Sequence, residues 1–324
     1  IVSGSMEVAA VVVEPDYLID VSSLAACYKP YGHHPGNYLL GQLSPYANSD
    51  AILLGNAANQ FMEDAAAATE EVDFRQSIKK HFRNTLLGYT FCKDPIGSAF
   101  FKKAETHYNN IREGVEALFN SPGYPQMQRG EMLMESSFIC EALGLRGRFD
   151  VMSKDRRLVL ELKSGKADDY GHEPRPKKEH VLQMALYKEM LHYNLDIPRE
   201  EITTLLFYSA YPQVFDECLS EEEVHAALHL RNRIVRMCGY IREGRVGEVL
   251  QLLNLKTLNE KQLDSKFFHL YLKPQLLNII APIAALDEVE RVYFETFLSF
   301  VLREMYYSKI GDGRADSNRG YASL

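Results

Sequence analysis

Hydrophobic positions recur with two periods along this chain. Between 132 and 162 they alternate with polar residues or run in short stretches: Met132–Glu141, Leu145–Met152 and Arg157–Leu162, the last with Leu158, Val159 and Leu160 in a row. Short stretches of this kind predict β-strands, with Leu143-Gly144 as a turn, and Ile202–Tyr208 predicts a fourth strand. Elsewhere the spacing is helical. Helices are expected at Asn56–Ala68, Phe74–Leu87, Ala99–Phe119, Lys177–Tyr193, Glu221–Gly244 and Asp287–Ser308. In the fourth of these, Leu182, Ala185, Leu186 and Met190 share a face. In the last, Val289, Val292, Tyr293, Phe297, Phe300 and Val301 form a stripe expected to be a packed face. Residues 7–44, rich in Pro and Gly, read as irregular. Strand, strand, strand, helix, strand predicts an α/β core with a mixed sheet, carrying helical N- and C-terminal additions.

The expected division is residues 6–130 as a mainly helical region lending one helix (about 55–68) to a functional site, 131–215 as the core, and 216–324 as a helical region. Residues 1–5 read as a cloning remnant ahead of Met6. No stretch reaches the ~18 consecutive apolar residues that a membrane helix needs. The expectation is therefore a cytoplasmic protein with no membrane contact. Composition agrees: 46% hydrophobic and 25% charged residues exclude wholesale disorder. Five scattered cysteines include no Cys-x-x-Cys pair, so neither a zinc ribbon nor an iron–sulfur cluster is expected.

Net charge is −8, which by itself disfavours nucleic acid. The distribution is uneven, however. Residues 145–178 hold ten Lys/Arg against six Asp/Glu, a window of +4 in a chain that is otherwise −12. Local charge decides where a phosphate backbone can sit.

That window also carries the candidate chemistry. Asp150 falls inside one predicted strand and Glu161 at the end of the next, so a hairpin brings both carboxylates to one sheet edge. Glu161 and Lys163 are two apart and leave the same face. Paired carboxylates with an ammonium beside them suit a hard divalent cation, Mg²⁺ or Mn²⁺, and the Leu162 carbonyl is available as a further ligand. Taken alone, the pattern is as well explained by a surface salt bridge. On the following helix His180, Gln183 and Tyr187 share one face. Ser164-Gly165-Lys166-Ala167 lacks both the leading Gly and the hydroxyl of a phosphate-binding loop, so these residues hold no ATP-driven motor.

Three motifs in order, Leu143-Gly-Leu-x-Gly-x-Phe-Asp150, Leu160-Glu-Leu-Lys-Ser-Gly-Lys166 and Glu179-His-x-x-Gln-x-x-x-Tyr187, resemble the RecB-like branch of the PD-(D/E)XK nuclease superfamily. They are most similar to the nuclease domain of the flap-processing replication helicase–nucleases and to the CRISPR-adaptation exonucleases. The resemblance covers about 60 residues (Met132–Tyr193) and implies a restriction-endonuclease-like core. It further implies that Asp150 and Glu161 bind metal and that Lys163 positions the attacking water. Gln183 and Tyr187 would support the site and contact the scissile strand, with Glu135 in a supporting role. Arg146, Arg148, Lys166, Lys177 and Lys178 are candidates for gripping DNA. The implied activity is hydrolysis of single-stranded or flap DNA without sequence specificity, with a helicase domain as a possible companion beyond this chain.

Two departures stand out. Where the family has a metal-binding His, in a Gly-x-x-x-His pattern, this chain has Gly55 followed by Asn59. Glu63, one turn later, is a compensating donor, and His107 is conceivable but reads as a surface residue. The cysteines that hold an iron–sulfur cluster in many relatives are missing. The alternative is a catalytically weak or inactive nuclease-like domain that binds DNA or acts as a scaffold.

Overall fold

The computed structural model describes residues 10–45, 48–67, 72–169 and 174–311. The chain opens with β1 (Ile19–Asp20), α1 (Val21–Ala25) and α2 (Gly36–Leu43). Then come α3 (Asp50–Ala66), α4 (Phe74–Asn84), the short α5 (Leu86–Thr90) and α6 (Ser98–Phe119). Strands β2 (Met132–Cys140), β3 (Leu145–Ser153) and β4 (Leu158–Lys163) follow. A small ribbon, β5 (Asp168–Asp169) with β6 (Pro174–Arg175), leads into α7 (Lys178–Leu195), β7 (Thr203–Tyr208) and β8 (Gln213–Phe215). The rest is helical: α8 (Glu221–Arg242), α9 (Val246–Leu252), α10 (Leu255–Leu258), α11 (Lys273–Ala284) and α12 (Glu288–Ile310). Side-chain caps fix several helix starts. Asp73 with Gln76, Ser220 with Glu223 and Asp287 with Glu290 form reciprocal capping boxes.

The protein is α/β, with a mixed six-stranded sheet in the order β1-β3-β4-β7-β8 and β2 also paired to β3. Strand β3 runs antiparallel to β4, and β4 parallel to β7. Strand β4 is central and buried from Leu158 to Leu162, as an apolar strand between two neighbours must be. The turn before β3 needs Gly144, whose φ of +60° suits glycine.

Two compact units cut across chain order: 45–138 with 147–219, and 1–44 with 139–146 and 220–324. In the first, α3 and α6 pack together and onto the sheet. Leu53, Phe61, Ile111 and Val115 share a core with Val151, Leu160, Leu205 and Phe207. In the second, the fully buried Arg231 of α8 donates to the carbonyls of Val13, Glu14, Tyr17 and Gly144. Those bonds satisfy a stretch of irregular backbone that would otherwise be buried without partners. Lys309 of α12 acts likewise on the Leu18 carbonyl, at 2.7 Å.

Two expectations are corrected. Residues 7–44 are not wholly irregular, because α1 and α2 form there under tertiary burial of Val21, Leu24, Leu39 and Leu40. The α12 stripe is not a packed face: Val289 is 78% exposed and Tyr293 70%. The helix instead buries Leu298, Leu302 and Lys309, and Tyr306 stacks on Tyr17. Both sides of α12 are apolar at helical spacing, so periodicity alone does not tell which one faces inward. Among the described residues no helix is long and apolar enough to cross a membrane.

Candidate active site

The β3–β4 register pairs Val151 with Leu160, so one further step sets Asp150 opposite Glu161. At that step the ladder gives way to a side chain: the Leu162 N–H donates to Asp150 Oδ2 at 2.8 Å. Glu161 and Lys163, two apart on β4, leave the same face, and Lys163 Nζ donates to Glu161 Oε1 at 2.8 Å. Helix α7 closes the group from above. Its Gln183 accepts from Lys163 Nζ (2.9 Å) and donates to Glu161 Oε1 (2.7 Å) and to the Tyr187 hydroxyl (2.9 Å). Tyr187 in turn donates to the Arg148 carbonyl at 3.0 Å.

The local sequence explains this close approach. A Cβ at Gly147 would lie 2.6 Å from the Tyr187 ring, so only glycine lets α7 lie so near β3. Phe149 meets the same ring edge-on at 4.5 Å between centroids.

One atom is left over. Glu161 Oε2 is buried without a hydrogen-bond partner. A buried polar oxygen left so is costly unless a cation or water meets it. Burial first, and the Glu161 charge second, push the Asp150 carboxyl well above the usual carboxylate range. The Leu162 N–H, Lys163 and Arg148 act in the opposite direction. Two facing carboxylates, one strongly desolvated and one with an orphaned oxygen, fit a divalent cation. Among the described residues no group of three or more His, Cys, Asp or Glu side chains is placed to share an ion. The side chains that could hold an ion here are the carboxylates of Asp150 and Glu161, with neutral oxygens beside them. Such a set suits Mg²⁺, which keeps several waters.

Asp150 opens into a cleft of about 470 Å³. Asn59, Glu63, Glu135 and Arg148 line it as well, so most of the expected residues on α3, β2 and β3 come together. Helix α3 approaches the end of β4 closely at Gly55, where a Cβ would lie 3.2 Å from Ser164 Oγ. Glu135 sits at φ +48° within β2, an uncommon conformation for a non-glycine residue, and pairs with Arg148 at 3.5 Å. Glu63 accepts from Gln60 and pairs with Lys80.

Other expectations change. Gln183 and Tyr187 are 4% and 2% exposed, so they are placed to hold Glu161 and Lys163 and not to touch a scissile strand. His107 is not a surface residue. It is buried on α6, its Nδ1 lies 2.8 Å from Ser209 Oγ, and burial lowers its pKa to about 4. The Ser209 N–H donates to the Lys163 carbonyl at 2.9 Å, so His107 backs the strand that carries Lys163. His180 approaches the Tyr208 hydroxyl (2.6 Å), and burial with Lys163 and Lys177 lowers its pKa to about 3. Of the candidate DNA contacts, Arg148 lies in the cleft and Lys166 and Lys178 are exposed. Lys177 is half-buried, and its N–H donates to the Tyr208 hydroxyl at 3.0 Å. Arg146 belongs to the other unit, where Asp20 binds it at 2.6 Å.

The sequence reading missed Asn56, His81, Asn84 and Thr85, which complete the cleft wall. The i, i+3, i+4 spacing of His81, Asn84 and Thr85 at the end of α4 was the available signal, but polar residues at such spacing are common on solvated helices. No family profile matches the chain, and a search of curated proteins finds no match.

Proposed function

We propose that this chain is a metal-dependent nuclease with a restriction-endonuclease-like, RecB-like core. It hydrolyses phosphodiester bonds of single-stranded or flap DNA without sequence specificity. The observation that carries this reading is the orphaned Glu161 Oε2, on the residue that the β3–β4 register sets opposite Asp150. Asp150 and Glu161 would hold Mg²⁺ or Mn²⁺, with the Leu162 carbonyl and the Asn59 amide oxygen as neutral ligands. When bound, the ion supplies charge neutralisation at the phosphate and a lowered pKa for water.

The chain's own groups do the rest. Lys163 spends two hydrogen bonds on Glu161 and Gln183, which fix the ammonium in one place. Its remaining proton is available to a water or to a non-bridging phosphate oxygen, where positive charge stabilises developing negative charge. Tyr187 orients Gln183, and Gln183 orients both Glu161 and Lys163. Arg148 at the cleft and the exposed Lys166 and Lys178 would hold the phosphate backbone, so binding would weaken with salt.

The test is cleavage of end-labelled single-stranded and flap DNA with Mg²⁺, with Mn²⁺ or with EDTA. Metal-dependent cutting that disappears in Asp150→Ala and Lys163→Ala is expected. Cutting that persists in Asp150→Ala overturns the site assignment. Two observations favour a second reading: Lys163 already occupies Glu161 Oε1, and the amide of Asn59 stands where the nuclease family that the motifs resemble has an imidazole. Absence of cutting with either metal selects that reading, a nuclease-like DNA-binding or scaffolding domain.

A further inference from the structure

The cleft beside Asp150 is walled by neutral amides. Asn56 and Asn59 of α3 and Asn84 of α4 line it, and the side chain of none of them makes a hydrogen bond among the described residues. Gln60 spends its amide protons on Glu63 (2.9 Å) and Asp64 (3.1 Å), which leaves its oxygen free. His81, next to Asn84, is 4% exposed, and its Nε2 has no partner. Burial lowers its pKa, so the ring is neutral. The two other carboxylates of the cleft are each compensated, Glu63 by Lys80 and Glu135 by Arg148. The cleft thus has a carboxyl end at Asp150 and a neutral wall of hydrogen-bonding groups.

Helix α4 adds a second, independent observation. Arg75, Lys79 and Arg83 are exposed and form no ion pair among the described residues, and the helix carries no carboxylate. Arg83 directly precedes Asn84. In a chain of net charge −8, a cationic helix bordering an amide-lined cleft is complementary to a polyanion with a neutral, hydrogen-bonding part.

From these observations we infer that the cleft is a subsite for one unpaired nucleotide of a single-stranded nucleic acid. Its base lies against Asn56 and Asn84, and its flanking backbone runs past Arg83. The inference rests on the proposed function for the identity of the polymer and adds how single strands are selected. Amides pair with base edges, and the Watson–Crick edge is free only when the base is unpaired. A volume of about 470 Å³ admits a ligand of nucleotide size. A duplex has its Watson–Crick edges already paired and its bases held in the stack, so it forgoes contacts of that edge inside the cleft.

The test is fluorescence anisotropy of the full chain, in EDTA to suppress cleavage. The probes are a labelled single-stranded 12-mer and an abasic 12-mer of equal length. Asn56→Ala and Asn84→Ala change exposed side chains and leave the core intact. Each is expected to weaken binding of the base-bearing strand about tenfold, within the range for one amide–base pair. Binding of the abasic strand and the slope of log K against log salt should not change. Arg83→Ala is expected to weaken both probes equally and to reduce that slope by about one. Equal effects of the Asn variants on both probes, wild-type affinity in both variants, or no binding of either probe by wild type each overturn the inference. Cleavage does not enter the readout. Base-dependent loss in a protein that never cuts DNA leaves the subsite standing and removes only the hydrolytic reading.

Discussion

Replacing Asp150 with Asn is expected to stabilise the metal-free protein. Burial and the facing Glu161 hold the Asp150 carboxyl at about 7, from an ordinary 3.8. The folded-state pKa is raised, so the folded chain keeps a proton that the unfolded chain has lost. Wild-type stability therefore falls as pH rises from about 4 towards 7. At ~1.4 kcal/mol per decade the full effect is bounded at ~4 kcal/mol. Asn keeps an oxygen for the Leu162 N–H but loses the attraction of Lys163 and Arg148. A gain of roughly 1–3 kcal/mol at pH 8 remains, a rise of about 3–8 °C in Tm for a domain of this size. Differential scanning calorimetry in EDTA at pH 8 and pH 4 reads both the sign and its pH dependence. The rise should shrink towards zero at pH 4. Added Mn²⁺ should raise the Tm of wild type and leave Asp150→Asn unmoved, because only a competent site gains by ligand linkage. Destabilisation by Asp150→Asn at pH 8 in EDTA, or an equal shift at both pH values, would refute the claim that burial holds the Asp150 carboxyl above its ordinary range.

Tyr187→Phe keeps the ring on Phe149 and Gly147 but removes the hydroxyl that ties Gln183 to the Arg148 carbonyl; cleavage assays should show a loss of about 10–100-fold with Tm changed little. Gly147→Ala sets a methyl 2.6 Å from that ring and should cost about 1–3 kcal/mol in urea melts. Arg231→Met leaves four carbonyls without their donor and should destabilise the unit holding α8 by more than about 3 kcal/mol, seen as an early transition in calorimetry. Phe297→Ser on the exposed side of α12 should change stability by less than about 0.5 kcal/mol, whereas Leu302→Ala on its buried side should cost about 2–4 kcal/mol.

Much of the core was legible in the sequence because strand periodicity and a short hairpin constrain geometry tightly. Once β3 and β4 pair across one turn, Asp150 and Glu161 must face each other, and Glu161 and Lys163 must share a face. The placement of Asn59 beside Asp150 was legible only through resemblance, since no local rule brings α3 to β4. His107 misled because a histidine among Lys103, Glu105 and Asn109 looks solvated, and only the packing of α6 against the strand reveals Ser209 beside it. The α12 stripe misled because both sides of that helix are apolar. Lys309, which the pattern assigns to solvent, is drawn inward by the Leu18 carbonyl. The amide wall of the cleft escaped notice because its members come from two helices, and neither helix alone distinguishes a binding face from a solvated one.

Anomalous diffraction from crystals soaked in Mn²⁺ tests the central claim most directly. A single peak within about 2.2 Å of both an Asp150 oxygen and Glu161 Oε2 is the expected result. A protein saturated with Mn²⁺ that shows no peak between these two carboxylates, with Glu161 Oε2 still unpartnered, would contradict it.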